Sequence, residues 1–312
     1  MTPGSASFIS ASGRERLDDR RTIMEYLQII LIGLALGGVY ALMASGLTLV
    51  FGVMKIINLA HPIFIIAGAY ISYWLFKLFG LDPILSLPIA MIGMFCIGVV
   101  VYKLIFEREA GNPKYIEMTV LLTFALAMAL DGLLGFMFSN THRVTSPSYA
   151  TEAILMGELY LPKGQFYAGV ISIGLILALW AFLRFSRIGY AIRATTQNRD
   201  AAQLVGVNVA TVSMVTFGIG IALAGASGSL ISFIFSFFPA KHWEWIAILM
   251  SLIVLGGMGS LLGAVVGSFL LAIIAAFVGA YLGPTWSTMT FFLSLFLILM
   301  IRPQGLFGAK ME

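Results

Sequence analysis

From Glu25 onward the chain is a succession of apolar runs with only brief interruptions, and few structures can accommodate that pattern. The runs fall near 26–50, 63–79, 84–106, 118–138, 165–185, 211–237, 245–258, 261–282 and 286–301. A helix needs about 20 apolar residues to cross a bilayer core, and most of these runs approach or exceed that length. They lack a polar residue at every second position, which argues against the alternating strands of a membrane barrel. The expected fold is all-α, a polytopic integral membrane protein of about 8–9 transmembrane helices with broken or re-entrant segments. Only 10% of the residues are charged, against about 25% in soluble domains. Trp74, Trp180, Trp243, Trp245 and Trp286 all fall close to run ends, where amphipathic rings favour the headgroup level.

Around this single membrane domain, residues 25–308, the remaining segments are short. Residues 1–24 are polar and are expected to be a disordered extension, and 309–312 form a short tail. The polar block 186–209, "SRIGYAIRATTQNRDAAQLVGVNV", is expected on the cytoplasmic side, because basic loops stay inside. With alternating crossings, Lys103, Arg108, Lys114, Arg184, Arg187, Arg193, Arg199, Arg302 and Lys310 are then inside, and Lys77, Arg143, Lys163 and Lys241 outside. One conflict remains. Two crossings between 26 and 79 put the N-terminal arginines outside, whereas three crossings through broken helices would not.

The segment "VMKIINLAHPIF", Val53 to Phe64, carries Lys55, Asn58, His61 and Pro62 inside apolar sequence. Proline has no amide to donate and disfavours helix at the preceding residue. Backbone freed at membrane depth must be buried in protein or line a wet cavity, so Asn58 and His61 are candidate pathway residues, with an ordinary interfacial loop as the alternative. Asp131 is the only acidic residue well inside a run. A carboxylate at the bilayer centre costs about 2.5 to 3.5 kcal/mol, so it should face the bundle interior, a cavity, or the outer interface. Gly259, Gly263 and Gly267 lie four apart and are expected on one helix face for close packing.

Several activities find little support. There is no GxxxxGK[ST], so the chain holds no P-loop of its own, and the basic residues are scattered without interleaved aromatics, which gives nucleic-acid binding no footprint. The lone Cys96 provides neither a disulfide framework nor a metal-ligand cluster. "GASG", Gly225 to Gly228, resembles the setting of rhomboid-type intramembrane serine proteases, with Ser227 as nucleophile and His61 as base. Small residues at helical spacing make the same string a packing face, and no catalytic residue is assigned.

In the polar block a short amphipathic helix is expected to stop at Gly206. Arg187, Arg193 and Arg199 would suit anionic lipid, whereas Thr195, Thr196, Gln197, Asn198 and Asp200 suit a protein groove. "DAAQLVG", Asp200 to Gly206, is similar to the EAA-xxx-G loop of ATP-binding-cassette importer permeases, with Asp for the first Glu and without the later Ile-x-Leu-Pro. With "SGLTLVFGVMKIINLAHPIF", "VLGGMGSLLGAVVGS" and the terminal "RPQGLFG", the chain from about Glu25 to Gly308 resembles the H-type permease of high-affinity branched-chain amino acid transporters.

That resemblance implies an inner-membrane importer with two ATP-binding subunits, a second related permease, an extracytoplasmic solute-binding protein, and surrounding lipid. ATP would be used by the partner subunits, with no cofactor or metal on this chain. Arg193, Arg199, Asp200, Ala201, Ala202 and Gly206 would couple to the ATPase. Asn58, His61 and Asp131 would border the pathway, and Gly259, Gly263 and Gly267 would pack helices. Where relatives commonly carry His-Gly-Glu or His-Gly-Ala, this chain has His61-Pro62-Ile63. The substrate stays open between a branched-chain amino acid and urea, an amide or another small solute. An ion-coupled carrier using Asp131 is the main alternative.

Overall fold

The computed structural model describes residues 11–109, 114–156 and 159–308. The order is α1 (Ala11–Met54), α2 (His61–Phe79), α3 (Pro83–Val101), a π-helical turn Tyr102–Phe106 leading into α4 (Glu107–Glu109), and α5 (Tyr115–Phe138). A small antiparallel hairpin follows, β1 (Ala153–Met156) and β2 (Leu159–Pro162), in register Ala153↔Pro162. Then come α6 (Lys163–Phe185), α7 (Arg187–Gln197), α8 (Arg199–Leu204), α9 (Val209–Ile231), α10 (His242–Gly256), α11 (Leu261–Leu282) and α12 (Pro284–Ile301). Among the described residues eight helices are long and apolar enough to cross a membrane. The seventh apolar run, 245–258, becomes α10, which at 15 residues rises about 22 Å and is shorter than the roughly 30 Å hydrocarbon core.

One expectation needs correction, and one open alternative is decided. Residues 11–24 continue α1 as helix instead of forming a disordered extension, since the leucine, glutamate and arginines there are good helix formers extending an existing nucleus. Residues 1–10 lie outside the described part of the chain. Residues 26–79 make two passes, α1 and α2, not three, so the N-terminal end of α1 lies on the side opposite α7 and α8.

Helix ends follow local chemistry. Lys55 ends α1 in a left-handed conformation, φ 57°, with its amide bonded to the Phe51 carbonyl at 2.8 Å. Asp82 Oδ1 accepts from the Ile84 amide at 2.8 Å and starts α3, while Pro83 occupies the first turn, where no amide is needed. The Tyr149 hydroxyl donates to the same carboxylate at 2.9 Å and ties the 139–162 excursion to the α2–α3 turn. Burial and that bond push the Tyr149 phenol up from its ordinary pKa.

α1 and α9 are the central helices, and α9 is buried along most of its length. Their contacts are made backbone to backbone. A methyl group at Gly68 of α2 would come within 2.6 Å of the Gly225 Cα of α9, and one at Gly46 of α1 within 2.7 Å of the Gly220 carbonyl oxygen. Gly38 of α1 meets Gly169 of α6 in the same way. On the side away from α7, the Arg143 and Phe237 backbones exchange two hydrogen bonds of 2.9 Å. The Arg143 guanidinium lies 5.2 Å from the Tyr73 ring and 5.4 Å from Trp74, and donates to the Phe138 carbonyl at 2.8 Å.

On the α7 side the C-terminal stretch folds back on α10. The Leu306 amide donates to the Leu255 carbonyl at 2.8 Å and that of Phe307 to Gly256 at 3.2 Å. These bonds satisfy carbonyls that a helix end leaves free. Gly68→Val is expected to lower the yield of monodisperse protein and its thermal midpoint. Backbone on the facing helix cannot yield as a side chain can, so the loss should exceed the usual overpacking cost of about 1–3 kcal/mol; unchanged melting in detergent would refute the contact.

Candidate functional site

Two places concentrate polar groups in this apolar bundle: the α7–α8 segment and the break between α1 and α2. Ser186 Oγ accepts from the Gly189 amide at 2.8 Å and opens α7, and Asn198 Oδ1 accepts from the Ala201 amide at 2.9 Å and opens α8. The polar block thus forms two short helices joined at Asn198, where one amphipathic helix was expected. Gly189 sits so tightly under the end of α6 that a methyl there would lie 2.6 Å from the Leu183 Cα. Ile192 and Thr195 are buried on the same face of α7, and a methyl at Gly52 of α1 would lie 3.5 Å from Thr196 Cγ2. α7 is therefore seated on α6 and the end of α1.

The expected coupling residues divide. Ala202 is buried, while Ala201, Asp200 and Gly206 are exposed and Arg199 is half-buried. Gly206 closes α8 in a conformation suited to glycine, φ 87°. Beside it, Leu204 and Val205 are 88% and 79% exposed, an apolar knuckle projecting from the polar side of the molecule. Sequence reasoning missed these two residues, because it counted them with the helix's buried face. Arg193 turns away from the knuckle. With Arg184, Thr48 and Gln197 it lines a cavity of about 580 Å³ between α1, α6, α7 and α11.

In the break, Asn58 Oδ1 accepts from the Ala60 amide at 3.1 Å, and the Asn58 carbonyl accepts from the His61 amide at 3.2 Å. Pro62 falls in the first turn of α2, so its rigidity helps to start the helix. Thr123 Oγ1 of α5 donates to the Ile57 carbonyl at 3.2 Å. Asn58 and His61 are fully buried, and Asn58 Nδ2 and both His61 ring nitrogens have no partner among the described residues. Neither residue lines the 580 Å³ cavity or a second one of about 510 Å³ bordered by Tyr40, Lys241, Glu244 and Trp245.

The remaining candidates fall elsewhere. Asp131 lies on the inward stripe of α5 defined by Thr119, Thr123, Ala127 and Leu134, with Oδ1 3.8 Å from His242 Nδ1. That nitrogen is 2.9 Å from the Pro239 carbonyl. Ser227 donates to the Leu223 carbonyl of its own helix at 2.8 Å, and no Ser–His bond exists because both His61 nitrogens are unpartnered. The protease geometry is absent, and "GASG" is the packing face against α2. The three glycines of the 259 series do not share a helix. Gly259 precedes α11 with φ 86° and lies near Gly52, whereas Gly263 and Gly267 pack on Gly256 of α10. Among the described residues no group of three His, Cys, Asp or Glu could hold a metal ion.

The family model described as "Branched-chain amino acid transport system / permease component" matches residues 29–301. Over 297 residues the chain is 28% identical to the high-affinity branched-chain amino acid transport system permease protein BraD of Pseudomonas aeruginosa, covering 92% of this chain and 97% of that protein. It is 28% identical over 305 residues to the permease protein LivH of Escherichia coli K12, covering 91% and 96%. LivM of the same organism is 25% identical over 251 residues, covering 73% of this chain and 58% of LivM. No solved structure matches the chain. A bundle of eight candidate spans and a family match across nearly all of it agree: the chain belongs to the permease components of branched-chain amino acid transport systems, a non-catalytic family of membrane transport subunits.

Proposed function

We propose that this chain works as one permease of an ATP-binding-cassette importer in the inner membrane, bringing a branched-chain amino acid or a closely similar small solute into the cell. A second, related permease would pair with it, as LivH and LivM are both similar to this chain. Two ATP-binding subunits would supply the energy from ATP, and an extracytoplasmic binding protein would deliver the solute. The observation that carries the coupling role is the exposed Leu204–Val205 knuckle, held by a two-helix segment that has little freedom to move alone.

The permease itself does no covalent chemistry. Nucleotide-driven closure of the ATPase pair pushes on α8 through Leu204, Val205, Asp200 and Ala201, with Arg199 at the rim. The buried Ala202 and the tight seat of Gly189 make α7 and α8 move with α6 and α1 as a body, which is how interface displacements become domain rotations. Gly206 allows the chain to turn from α8 into α9 without strain.

The solute route in this reading passes the α1–α2 break. Unpaired buried polar atoms are costly, and Asn58 and His61 together hold three of them at membrane depth. In the alternate state of the transporter these atoms meet solute or water. Their neutral polar chemistry suits a zwitterionic or uncharged solute. Asp131 borders the route at its outer end, beside His242.

Affinity purification from native membranes should recover P-loop ATPases and a second permease, and proteoliposomes of that complex should take up leucine only with ATP and binding protein. Recovery of the chain alone, with gradient-driven uptake lost in Asp131→Asn, would overturn the reading. Leu204→Asp with Val205→Asp is expected to cut ATP-driven uptake at least tenfold while the permease keeps its thermal midpoint. His61→Leu should separate stability from transport. Removing unpaired buried nitrogens leaves melting unchanged or higher, and uptake falls at least tenfold if the ring meets the solute; unchanged uptake would remove His61 from the route. Competition by urea or an amide stronger than that by leucine, isoleucine or valine would reassign the substrate.

A further inference from the structure

Arg184 and Arg193 are out of place in the cavity they line. Both face the 580 Å³ space at the α7 end of a groove whose floor is α1 and whose walls are α6 and α11. Neither is among the ion pairs of the described residues, and Arg193 Nε is buried without an acceptor. The Arg193 guanidinium carbon lies 4.7 Å from the Tyr190 ring centroid, a contact that orients the group without neutralising it.

The third wall adds more positive potential. Leu261 and Leu262, the first residues of the 22-residue α11, line the same cavity. Ser260 Oγ accepts from the Gly263 amide and caps the helix, whose start carries a partial positive charge beside the space. No carboxylate lines the cavity. Two arginines and a helix start therefore border one space where no described residue supplies an anion.

The rest of the groove is apolar and open outward. On α6, Val170, Ile173 and Leu177 are exposed in a stripe that ends at Trp180 on the cavity wall. On α11, Leu262, Val266 and Leu270 form a matching stripe of about 12 Å, most of the acyl depth of one leaflet. A cationic end at headgroup level, continuous with an apolar trough one acyl chain long, has the chemistry of a phospholipid. The side is consistent, since basic loops mark the α7 face as cytoplasmic, where membranes can present anionic lipid.

We propose that this groove binds one anionic phospholipid, its phosphate held by Arg184, Arg193 and the start of α11, and its acyl chains lying between α6 and α11. The lipid bridges α7 to α1 and α11 and so forms part of the path between the cytoplasmic segment and the bundle. The site does not depend on which solute is carried.

The test uses the assembled transporter, purified with its partner subunits and placed in phosphatidylcholine nanodiscs doped with brominated phosphatidylglycerol or brominated phosphatidylcholine. Trp180 quenching is read as the difference from Trp180→Phe. Brominated phosphatidylglycerol is expected to quench Trp180 several-fold more at equal dose. Arg184→Ala with Arg193→Ala should erase the preference, and Arg187→Ala, on the exposed face, should leave it. Should the double variant fold poorly, each single variant is expected to reduce the preference by itself. Equal quenching by the two lipids, or equal loss in Arg187→Ala, overturns the proposal. Reversal by millimolar inorganic phosphate would overturn the proposal in favour of a site for soluble anions, and reversal by leucine in favour of a site for the solute. Quenching seen in the isolated chain but absent in the assembly would mean that the second permease covers the groove.

Discussion

The bundle rests on helices brought together until their backbones touch. Lipid is as apolar as leucine, so burying side chains against one another gains little inside a membrane, and association depends on close packing. Here the approach is made by glycine at Gly46 and Gly220, Gly68 and Gly225, Gly38 and Gly169, and Gly256 and Gly263. The pairs link α1 to α9, α2 to α9, α1 to α6 and α10 to α11, while against α11 and α3 the central helices set glycine under a side chain, as at Gly37 with Phe269 and Gly218 with Phe95. Large apolar side chains such as Phe64, Phe106 and Phe217 fill the interior between these contacts, and others cover α5 and α12, whose spans are mostly exposed.

With the helices so close, there is room for irregular backbone only where other elements cover it. The Lys55–Ala60 break is enclosed by α2 and α5, with its carbonyl at Ile57 engaged by Thr123. The short α10 ends where the C-terminal stretch supplies amides to its carbonyls. Both places obey the rule that freed backbone in a membrane must find a partner within the protein. Asn58 Nδ2 and the His61 ring are polar groups enclosed in the break without a hydrogen-bond partner among the described residues, and this gives the break its functional interest.

Much of this was legible in order but not in depth. The apolar runs located most helix ends to within a few residues, because length and hydropathy are local properties, but not the start of α1, which runs on into polar sequence as far as Ala11. "GASG" was legible as a packing face, since small residues at helical spacing have few other uses in lipid. Gly259 was misassigned because Ser260 starts a new helix there, and a spacing of four cannot by itself reveal a cap between its members. Arg193 was grouped with the exposed coupling residues, yet the stripe of Gly189, Ile192 and Thr195 turns that side of α7 inward. The Arg143 aromatic stack, the β1–β2 hairpin and the Leu306–Leu255 bond join residues far apart or in irregular loops, and no local pattern encodes them.

The bond from Leu306 to Leu255 also orders events during synthesis. α10 leaves the ribosome roughly fifty residues before the segment that completes its end. Until α11 and α12 have been made and inserted, the carbonyls of Leu255 and Gly256 lack these amides, and α10 is a short helix with an unfinished end. The last short stretch thus closes the end of a helix made much earlier, so that α10 is finished only when the chain has nearly left the ribosome.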